Sequence, residues 1–339
     1  MLLGMGNPLL DMSAVVNEDL LVKYGMKPND AILAADKHMP LYTELVDKYS
    51  VEYIAGGSSQ NSLRVAQWIL EKPKVAVLIG CVGRDDYSKI LEKKAMGDGV
   101  CVKYQYTDDK PTGTCAVLIT KNGTNRSLCA NLAAAELFTI DHIRRPDVRQ
   151  AIEQAEVYYS SGFFLTVSIE TIVEIAQIAL KRDKIFMMNL SAPFLSQFYK
   201  ENMMRAMPYV DILFGNETEA LTFAREHNFD TEDMHKVALK IAALPKQNPD
   251  RQRIVVITQG SDPVIVVEGG KCREFPVVFL PSEKVVDTNG AGDAFVGGFM
   301  AQLVKRRPIE TCIKCAIWTA TQIVQRSGCT FSGKPEFDE

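Results

Sequence analysis

Three observations predict an α/β protein with a doubly wound, mostly parallel sheet flanked by helices. Short apolar runs typical of buried strands alternate with helical patterns over most of the chain. The 339 residues and their 47% apolar content suffice for one large domain and a smaller one. A hairpin pattern interrupts the alternation once, and it predicts a small β-rich lid domain that is discontinuous in sequence.

The strands of the large sheet are predicted at apolar runs between helical patterns. These runs are Met1–Gly6, Val75–Gly80, Val157–Gly162, Ile185–Leu190, Asp211–Gly215 and Ile254–Thr258. Helices are predicted near residues 60–71, 168–182, 216–226, 231–244 and 293–305. Ligands bind at the carboxyl ends of the strands in such sheets, so residues that follow a strand are the first candidates for a site.

The hairpin pattern places two strands, Thr114–Thr120 and Asn125–Leu132, on either side of an Asn-Gly turn at Asn122-Gly123. Together with a loosely patterned N-terminal region, it predicts a lid domain made of residues 9–56 and 105–132. The large domain is then predicted from residues 1–8, 57–104 and 133–339. A lid above the strand ends would keep water away from reacting groups.

Composition argues against several classes of function. A formal net charge of −4 argues against nucleic-acid and membrane partners. No apolar run approaches the ~20 residues of a membrane span, and the N-terminus lacks the pattern of a signal peptide. The eight cysteines are scattered, which favours free thiols in a reducing compartment. We therefore expect a cytoplasmic protein, and the sequence leaves a nuclear pool open.

The most informative stretch is Asp287–Phe299, where an Asp follows a Gly-Ala-Gly turn at a predicted helix start. The residues predicted on the buried face of this helix are Phe295, Val296, Phe299, Met300, Leu303 and Val304. Backbone N–H groups of Gly290, Ala291 and Gly292 and the helix dipole would form an anion site. Asp293 could take a proton from a hydroxyl that attacks a phosphoryl group held there, which is what a kinase needs. A simple helix cap is the alternative interpretation.

The sequence lacks the residues that several other familiar enzyme chemistries require. A dinucleotide fingerprint would need a glycine at Phe295, and no P-loop string occurs in the chain. The four histidines, His38, His142, His227 and His235, lack metal-ligand or triad spacing and are predicted at the surface. Acid–base chemistry therefore falls to carboxylates.

Polar residues near other strand ends predict a site for a diol. Asn7 and Asp11 follow the first strand, and a carboxylate can accept hydrogen bonds from two hydroxyls at once. Gly56-Gly57 precedes a helix and predicts a hinge with close backbone approach to a substrate, with Asn61 reaching a ribose hydroxyl. The alternative there is a simple turn with Ser58 or Ser59 as the helix cap.

Arg126 follows the predicted hairpin tip. The lid would carry its guanidinium over the anion site, where it would neutralise a transferred phosphoryl group. A surface position is the alternative.

The string Asp287–Asp293 resembles, nearly letter for letter, the second signature of the ribokinase/PfkB carbohydrate-kinase family, Asp-Thr-x-Gly-Ala-Gly-Asp. Gly56-Gly57 resembles the Gly-Gly part of its first signature. The resemblance covers essentially the full chain. Asn189–Phe194 and Phe214–Glu219 are similar to the members that phosphorylate adenosine rather than ribose.

The resemblance implies a ribokinase-like fold and transfer of a phosphoryl group from ATP to the 5′-hydroxyl of adenosine. The product would be AMP for purine salvage, Mg²⁺ would assist, and the enzyme would be largely monomeric. A related kinase for another nucleoside or sugar is the second interpretation. A nucleoside-binding protein without the chemistry is the third.

The resemblance also implies roles for individual residues. Residues assigned to the substrate are Asn7, Asp11, Gly56, Gly57, Ser58, Asn61, Phe163 and Phe194, with the two aromatic rings against the purine. Residues assigned to the nucleotide are Asn216, Thr258, Gly260 and Asn289. Glu219 and Asp287 would serve the metal through water, and Asp287 is the second candidate for the base. Ala31 departs from the family, since relatives often carry Gln there, so base selectivity could differ.

Overall fold

The computed structural model describes residues 1–121 and 125–338. The strands are β1 Leu2–Met5, β2 Leu9–Val15, β3 Ala31–Leu33, β4 Glu52–Gly56, β5 Ala76–Gly83, β6 Cys101–Thr107, β7 Thr114–Thr120, β8 Asn125–Asn131, β9 Val157–Ser161, β10 Ile185–Asn189, β11 Ile212–Asn216, β12 Ile254–Gln259, β13 Asp262–Glu268 and β14 Lys271–Phe275. The helices are α1 Glu18–Lys23, α2 Met39–Lys48, α3 Ser58–Leu70, α4 Asp86–Gly97, α5 Pro146–Gln154, α6 Ile169–Lys181, α7 Pro193–Phe198, α8 Lys200–Ala206, α9 Glu217–Glu226, α10 Met234–Ala242, α11 Ala291–Val304 and α12 Ile309–Ile323.

The chain folds into two compact units. The first unit comprises Met1–Gly6, Thr139–Phe279 and Val304–Arg306. The second unit comprises Asn7–Phe138, Leu280–Leu303 and Arg307–Glu339. The domain boundaries inferred from the sequence, with a lid of residues 9–56 and 105–132, stay a prediction.

The first unit contains seven neighbouring strands in the order β14-β13-β12-β11-β10-β9-β1. The strands from β12 to β1 are parallel, and β13 and β14 add an antiparallel edge. Parallel strands need both faces covered, and helices α6, α9 and α10 pack on these strands. The predicted α/β fold with a mostly parallel sheet flanked by helices is confirmed.

The second unit contains a five-stranded sheet in the order β3-β8-β7-β2-β4. Strands β7 and β8 pair antiparallel from Thr114 opposite Asn131 to Thr120 opposite Asn125, so the hairpin strands are where the sequence predicts them. The predicted turn at Asn122-Gly123 lies outside the described residues. The region 9–56 is less uniformly β-rich than expected, because α1 and α2 pack apolar residues such as Leu20 and Leu41 into a common core.

Helix α11 carries the catalytic candidate Asp293 in its first turn and buries apolar residues in the second unit. Phe295 is only 4% exposed and Phe299 is fully buried, as predicted, whereas Leu303 and Val304 at the helix end are half-buried. A Cβ atom on Gly297 would lie 2.6 Å from the carbonyl oxygen of Ser62. The glycine therefore lets α11 approach α3 closely, which brings the starts of the two helices together.

The prediction that all four histidines lie at the surface is wrong for two of them. His38 is 4% exposed and His142 is 5% exposed, whereas His235 is exposed. The Nδ1 atom of His38 accepts a hydrogen bond from the backbone N–H of Ala35 at 2.9 Å, so one ring nitrogen has a partner while the ring packs inside. Within residues 1–121 and 125–338, no helix is long and apolar enough to cross a membrane.

Candidate active site

Asp293 stands in the first turn of α11 and receives one hydrogen bond on each carboxylate oxygen. The hydroxyl of Ser58 donates to Oδ1 at 2.6 Å, and the amide nitrogen of Asn61 donates to Oδ2 at 3.0 Å. Burial raises the pKa of Asp293, and the two hydrogen bonds offset this only in part. The net effect is a carboxylate that is held in place and is more basic than usual, as a general base requires.

The turn before α11 leaves backbone N–H groups available for an anion. Ala291 donates to the carbonyl of Thr288 at 3.2 Å and Ala294 donates to that of Gly290 at 2.8 Å. The N–H groups of Gly292 and Asp293 have no such acceptor in the part of the chain that the structure describes. Gly292 is exposed, and no atom lies within 4 Å of the Cβ position that it lacks. A phosphoryl group would have both donors and space here.

The Gly56-Gly57 pair sits where neither position can accept a side chain. Gly57 has φ +92°, and its Cβ atom would lie 2.3 Å from the carbonyl oxygen of Asn7. A Cβ atom on Gly56 would lie 2.2 Å from Oδ1 of Asp11. Gly57 is the N-cap residue of α3 and no side chain caps this helix, so the alternative of a Ser58 or Ser59 cap does not hold. The Ser58 hydroxyl is therefore available to donate to Asp293.

We expect Gly57→Ala to lower the free energy of unfolding by about 2 kcal/mol or more, because a Cβ atom adds strain at positive φ and a backbone clash with Asn7. Chemical denaturation measures this change. Gly97→Ala is the matched control, since no atom lies within 4 Å of its Cβ position. Equal effects of the two substitutions would contradict the role assigned to the glycine pair.

Asp11 lies on β2 and is only 8% exposed. Burial, together with the negative charges of Asp293 and Asp287, raises the pKa of Asp11 to about 8, although the positive charge of Arg64 opposes the shift. The side chain is therefore largely protonated near neutral pH without ligand. A protonated carboxyl still offers one donor and acceptor oxygens to a pair of hydroxyls, so the predicted diol contact stays chemically possible.

The raised pKa of Asp11 predicts a stability change with pH. The folded protein binds the proton more tightly than the unfolded chain, whose Asp has a pKa near 3.8. The contribution of Asp11 to the free energy of unfolding is therefore fully present below pH 3.8 and is lost as the pH rises to about 8. We expect the free energy of unfolding of Asp11→Asn, relative to the unsubstituted protein, to increase between pH 5 and pH 8. Urea unfolding at several pH values measures it, and a constant difference would contradict the shift.

Arg126 lies on β8 and is buried rather than at the surface, with 6% exposure. Its Nε atom donates to Oδ1 of Asp287 at 2.5 Å, and Nη2 donates to the carbonyl of Val286 at 3.4 Å. The buried Nη1 atom has no hydrogen-bond partner among residues 1–121 and 125–338. An unpartnered buried donor is costly, so this atom is available to an anionic ligand.

Asp287 is already well supplied with donors. Besides Arg126, the backbone N–H of Asn289 donates to Oδ1 at 2.7 Å and that of Gly328 donates to Oδ2 at 2.6 Å. These bonds hold the carboxylate in the loop and occupy three of its acceptor positions. Asp293 is therefore the better candidate for the base, and the water-mediated metal role of Asp287 stays a prediction.

The candidates in the first unit lie at strand ends. Asn216 ends β11 and forms a capping box with Glu219: its side chain accepts from the N–H of Glu219 at 2.8 Å, and Glu219 Oε2 accepts from the N–H of Asn216 at 3.0 Å. Thr258 lies on β12, next to the turn at Gly260, which has φ +59°. Their nucleotide and metal roles stay predictions.

Phe163 and Phe194 are half-buried neighbours whose ring centroids lie 6.3 Å apart. Phe163 belongs to a short 3₁₀ helix, Gly162–Thr166, directly after β9, and Phe194 is in the first turn of α7. Their predicted contact with a purine stays a prediction.

The described residues contain no group of three or more His, Cys, Asp or Glu side chains that could hold a metal ion. Magnesium keeps several of its own waters and binds through substrate phosphates, so a carboxylate can act on it through water. Asp287 retains acceptor capacity for one more donor, and this arrangement fits a water-mediated role.

Sequence reasoning missed the fully buried Arg64 of α3 and the contacts of Gly328 and Cys329 near the C-terminus. A signal for Arg64 was present, because a charged residue between Leu63 and Val65 on an apolar helix needs partners. No pattern in the sequence indicated the partners themselves.

A parallel α/β sheet and a carboxylate beside a Gly-Ala-Gly turn at a helix start define a phosphotransferase that acts on an alcohol. Residues 18–336 match the model of the pfkB family carbohydrate kinases, and the chain belongs to this family. The predicted family, fold class and enzyme class are thereby confirmed.

The similar proteins narrow the class further. Adenosine kinase 2 of Arabidopsis thaliana is 51% identical over 337 residues, which cover 99% of this chain and 97% of that protein. A crystal structure of Anopheles gambiae adenosine kinase in complex with P1,P4-di(adenosine-5) tetraphosphate is 60% identical, with a TM-score of 0.97 and 99% coverage of both chains. Adenosine kinase from Schistosoma mansoni in complex with adenosine and AMP is 34% identical, with a TM-score of 0.92 and coverage of 99% and 98%.

Proposed function

We infer that this protein transfers the γ-phosphoryl group of ATP to the 5′-hydroxyl of adenosine and forms AMP and ADP. The observation that carries the inference is the geometry of Asp293, which Ser58 and Asn61 hold at a helix start beside unpaired backbone N–H groups. The adenosine kinases that the chain resembles over nearly its whole length support the choice of acceptor.

Asp293 accepts the proton of the 5′-hydroxyl as the oxygen attacks the γ-phosphorus. The hydroxyl loses its proton late in a loose transition state, so a moderately basic carboxylate suffices. The raised pKa of Asp293 increases its basicity while the two hydrogen bonds keep the carboxylate oriented. Asp11 and Asn7 bind the ribose, with Asp11 beside the glycine pair, while Asn61 orients Asp293.

The backbone N–H groups of Gly290 and Gly292 bind the transferred phosphoryl group, whereas that of Ala291 donates to the carbonyl of Thr288. Arg126 supplies a positive charge through its Nη1 atom, which has no partner among the described residues. Mg²⁺ would neutralise part of the charge on the phosphate groups, and Asp287 and Glu219 would hold it through water. Asn289 borders the same turn, and its N–H orients Asp287.

An assay of ATP consumption with adenosine, inosine, guanosine, ribose or no acceptor tests this function. We expect consumption to depend on adenosine and to yield AMP. Consumption with inosine or ribose alone would favour a kinase for another nucleoside or for a sugar. Adenosine binding in calorimetry without ATP consumption would indicate a binding protein. We further expect a monomer in solution, which size-exclusion chromatography with light scattering measures.

A further inference from the structure

Arg64 is a charged side chain that is fully buried in the second unit, on the helix that carries Ser58 and Asn61. Its Nε atom pairs with Oδ2 of Asp98 at 2.6 Å. Its Nη1 atom donates to the side-chain oxygen Oδ1 of Asn61 at 3.2 Å and to the backbone oxygen of Cys329 at 3.3 Å. A buried guanidinium is costly unless it has partners. One of the partners of Arg64 is Asn61, which in turn donates to the candidate base, Asp293.

An asparagine amide has an acceptor end and a donor end, and the two ends are nearly the same shape. Arginine carries only donors, so Arg64 can bind Asn61 only through Oδ1. The donor end, Nδ2, then faces Oδ2 of Asp293, 3.0 Å away. If the amide turned over, its oxygen would face the carboxylate, and the two acceptors would repel each other.

Residues 329–333, near the C-terminus, also contact the Arg64 guanidinium or the residues around it. The ring of Phe331 lies 5.4 Å from the guanidinium carbon of Arg64 and stacks on Trp68, with ring centroids 5.1 Å apart. The indole N–H of Trp68 donates to the carbonyl of Gly333 at 2.8 Å. The position of Arg64 is therefore determined by α3, by Asp98 and by residues 329–333 together.

We propose that Arg64 is a positioning residue for the phosphoryl transfer: it fixes the orientation of the Asn61 amide and thereby the orientation of the Asp293 carboxylate. The proposal rests on the proposed function, since it concerns the base of that reaction. Arg64 itself contacts neither substrate nor reacting atoms.

The test is Arg64→Met, which keeps the aliphatic length and removes every donor. Asp98 keeps an ion pair with Lys94 at 3.3 Å, so the substitution does not strand this carboxylate. We expect the kcat for adenosine phosphorylation to fall about 10- to 100-fold, the loss that a small misplacement of a reacting group causes, while the KM for ATP changes less than threefold. Arg64→Lys should recover part of the kcat, because lysine restores a donor.

Arg253→Met is the matched control for the loss of a buried arginine. Arg253 is 2% exposed, and its guanidinium donates to backbone carbonyls, among them those of Met207 and Val210. We expect this variant to lose stability while the kcat of the folded fraction stays unchanged. Circular dichroism gives the folded fraction of each variant.

Three results would overturn the proposal: an unchanged kcat in folded Arg64→Met, an Arg64→Lys variant no better than Arg64→Met, or an equal loss of kcat in Arg253→Met. If Arg64→Met does not fold, Phe331→Leu decides, since it removes the ring beside the guanidinium, together with its stacking on Trp68, and leaves Arg64 in place. It should lower kcat by about 3- to 10-fold, and an unchanged kcat would count against the proposal. Failure of the unsubstituted protein to consume ATP with adenosine would instead contradict the proposed function.

Discussion

Replacing Asp293 by Asn is expected to lower the kcat about 10³-fold or more, while the affinity for adenosine changes little. Asparagine has nearly the same shape but cannot accept the proton of the 5′-hydroxyl, so the loss falls on the transition state. The NH₂ end of the new amide must also face either the Asn61 Nδ2 group, which can only donate, or the Ser58 hydroxyl, which would then have to accept, so the orientation is weakened. Steady-state kinetics gives the kcat, and calorimetry with adenosine gives the Kd.

Asp86→Asn is the control for this substitution. Asp86 also occupies the first turn of a helix, α4, but it is exposed, and its ion-pair partner within the described residues is Lys89 at 2.8 Å. If the effect of Asp293 were that of a helix cap, the two substitutions would change stability alone and leave the kcat similar. Near-normal turnover of Asp293→Asn would remove this residue as the base and would make Asp287 the next residue to test.

Arg126→Ala is expected to have two separable effects. The kcat should fall about 10²-fold, because the positive charge beside the transferred phosphoryl group is lost. The free energy of unfolding should fall by about 3 kcal/mol, because Asp287, only 2% exposed, loses its charged partner. Kinetics at saturating ATP and adenosine measures the first effect, and urea denaturation measures the second.

The double variant Arg126→Ala with Asp287→Asn separates the two effects. Neutral asparagine leaves no buried charge and still offers an acceptor to Asn289 or Gly328, so part of the stability should return. The kcat should stay low, because no guanidinium is restored and the carboxylate proposed to act on Mg²⁺ through water is also lost. A double variant that regains turnover would show that Arg126 acts only through stability, and would return it to a structural role.

The sequence predicted the fold well wherever the pattern was local. Strands such as β9, β10 and β12 are continuous apolar runs, and α11 begins within two residues of the predicted start, because periodicity and turn residues report on nearby structure. The glycine pair was also predictable, since a positive φ at Gly57 requires glycine. Short helices such as α1 were missed because a six-residue element has too few residues to show a period.

The candidate site was predictable as a set of residues, but its connections were not. Asn61 was predicted to reach a ribose hydroxyl, and the structure shows that its Nδ2 atom already donates to Asp293. Arg126 was expected to neutralise a phosphoryl group over the anion site, and its ion pair with Asp287 was not foreseen. Such pairings join residues 161 to 235 positions apart. One sequence contains no signal that selects one partner over another at that separation.

The contacts made by residues 328–333 have a consequence for how the protein is made. A ribosome releases the chain from its N-terminal end, so Trp68 leaves the exit tunnel long before Gly333 can meet it. Until then, Asp287 lacks the N–H of Gly328 and Arg64 lacks the carbonyl of Cys329. A nascent or prematurely terminated chain that stops ahead of residue 328 would contain every proposed catalytic side chain and still be poorly active. Residues 328–333 thus supply contacts to Asp287 and Arg64 that a shorter nascent chain cannot form.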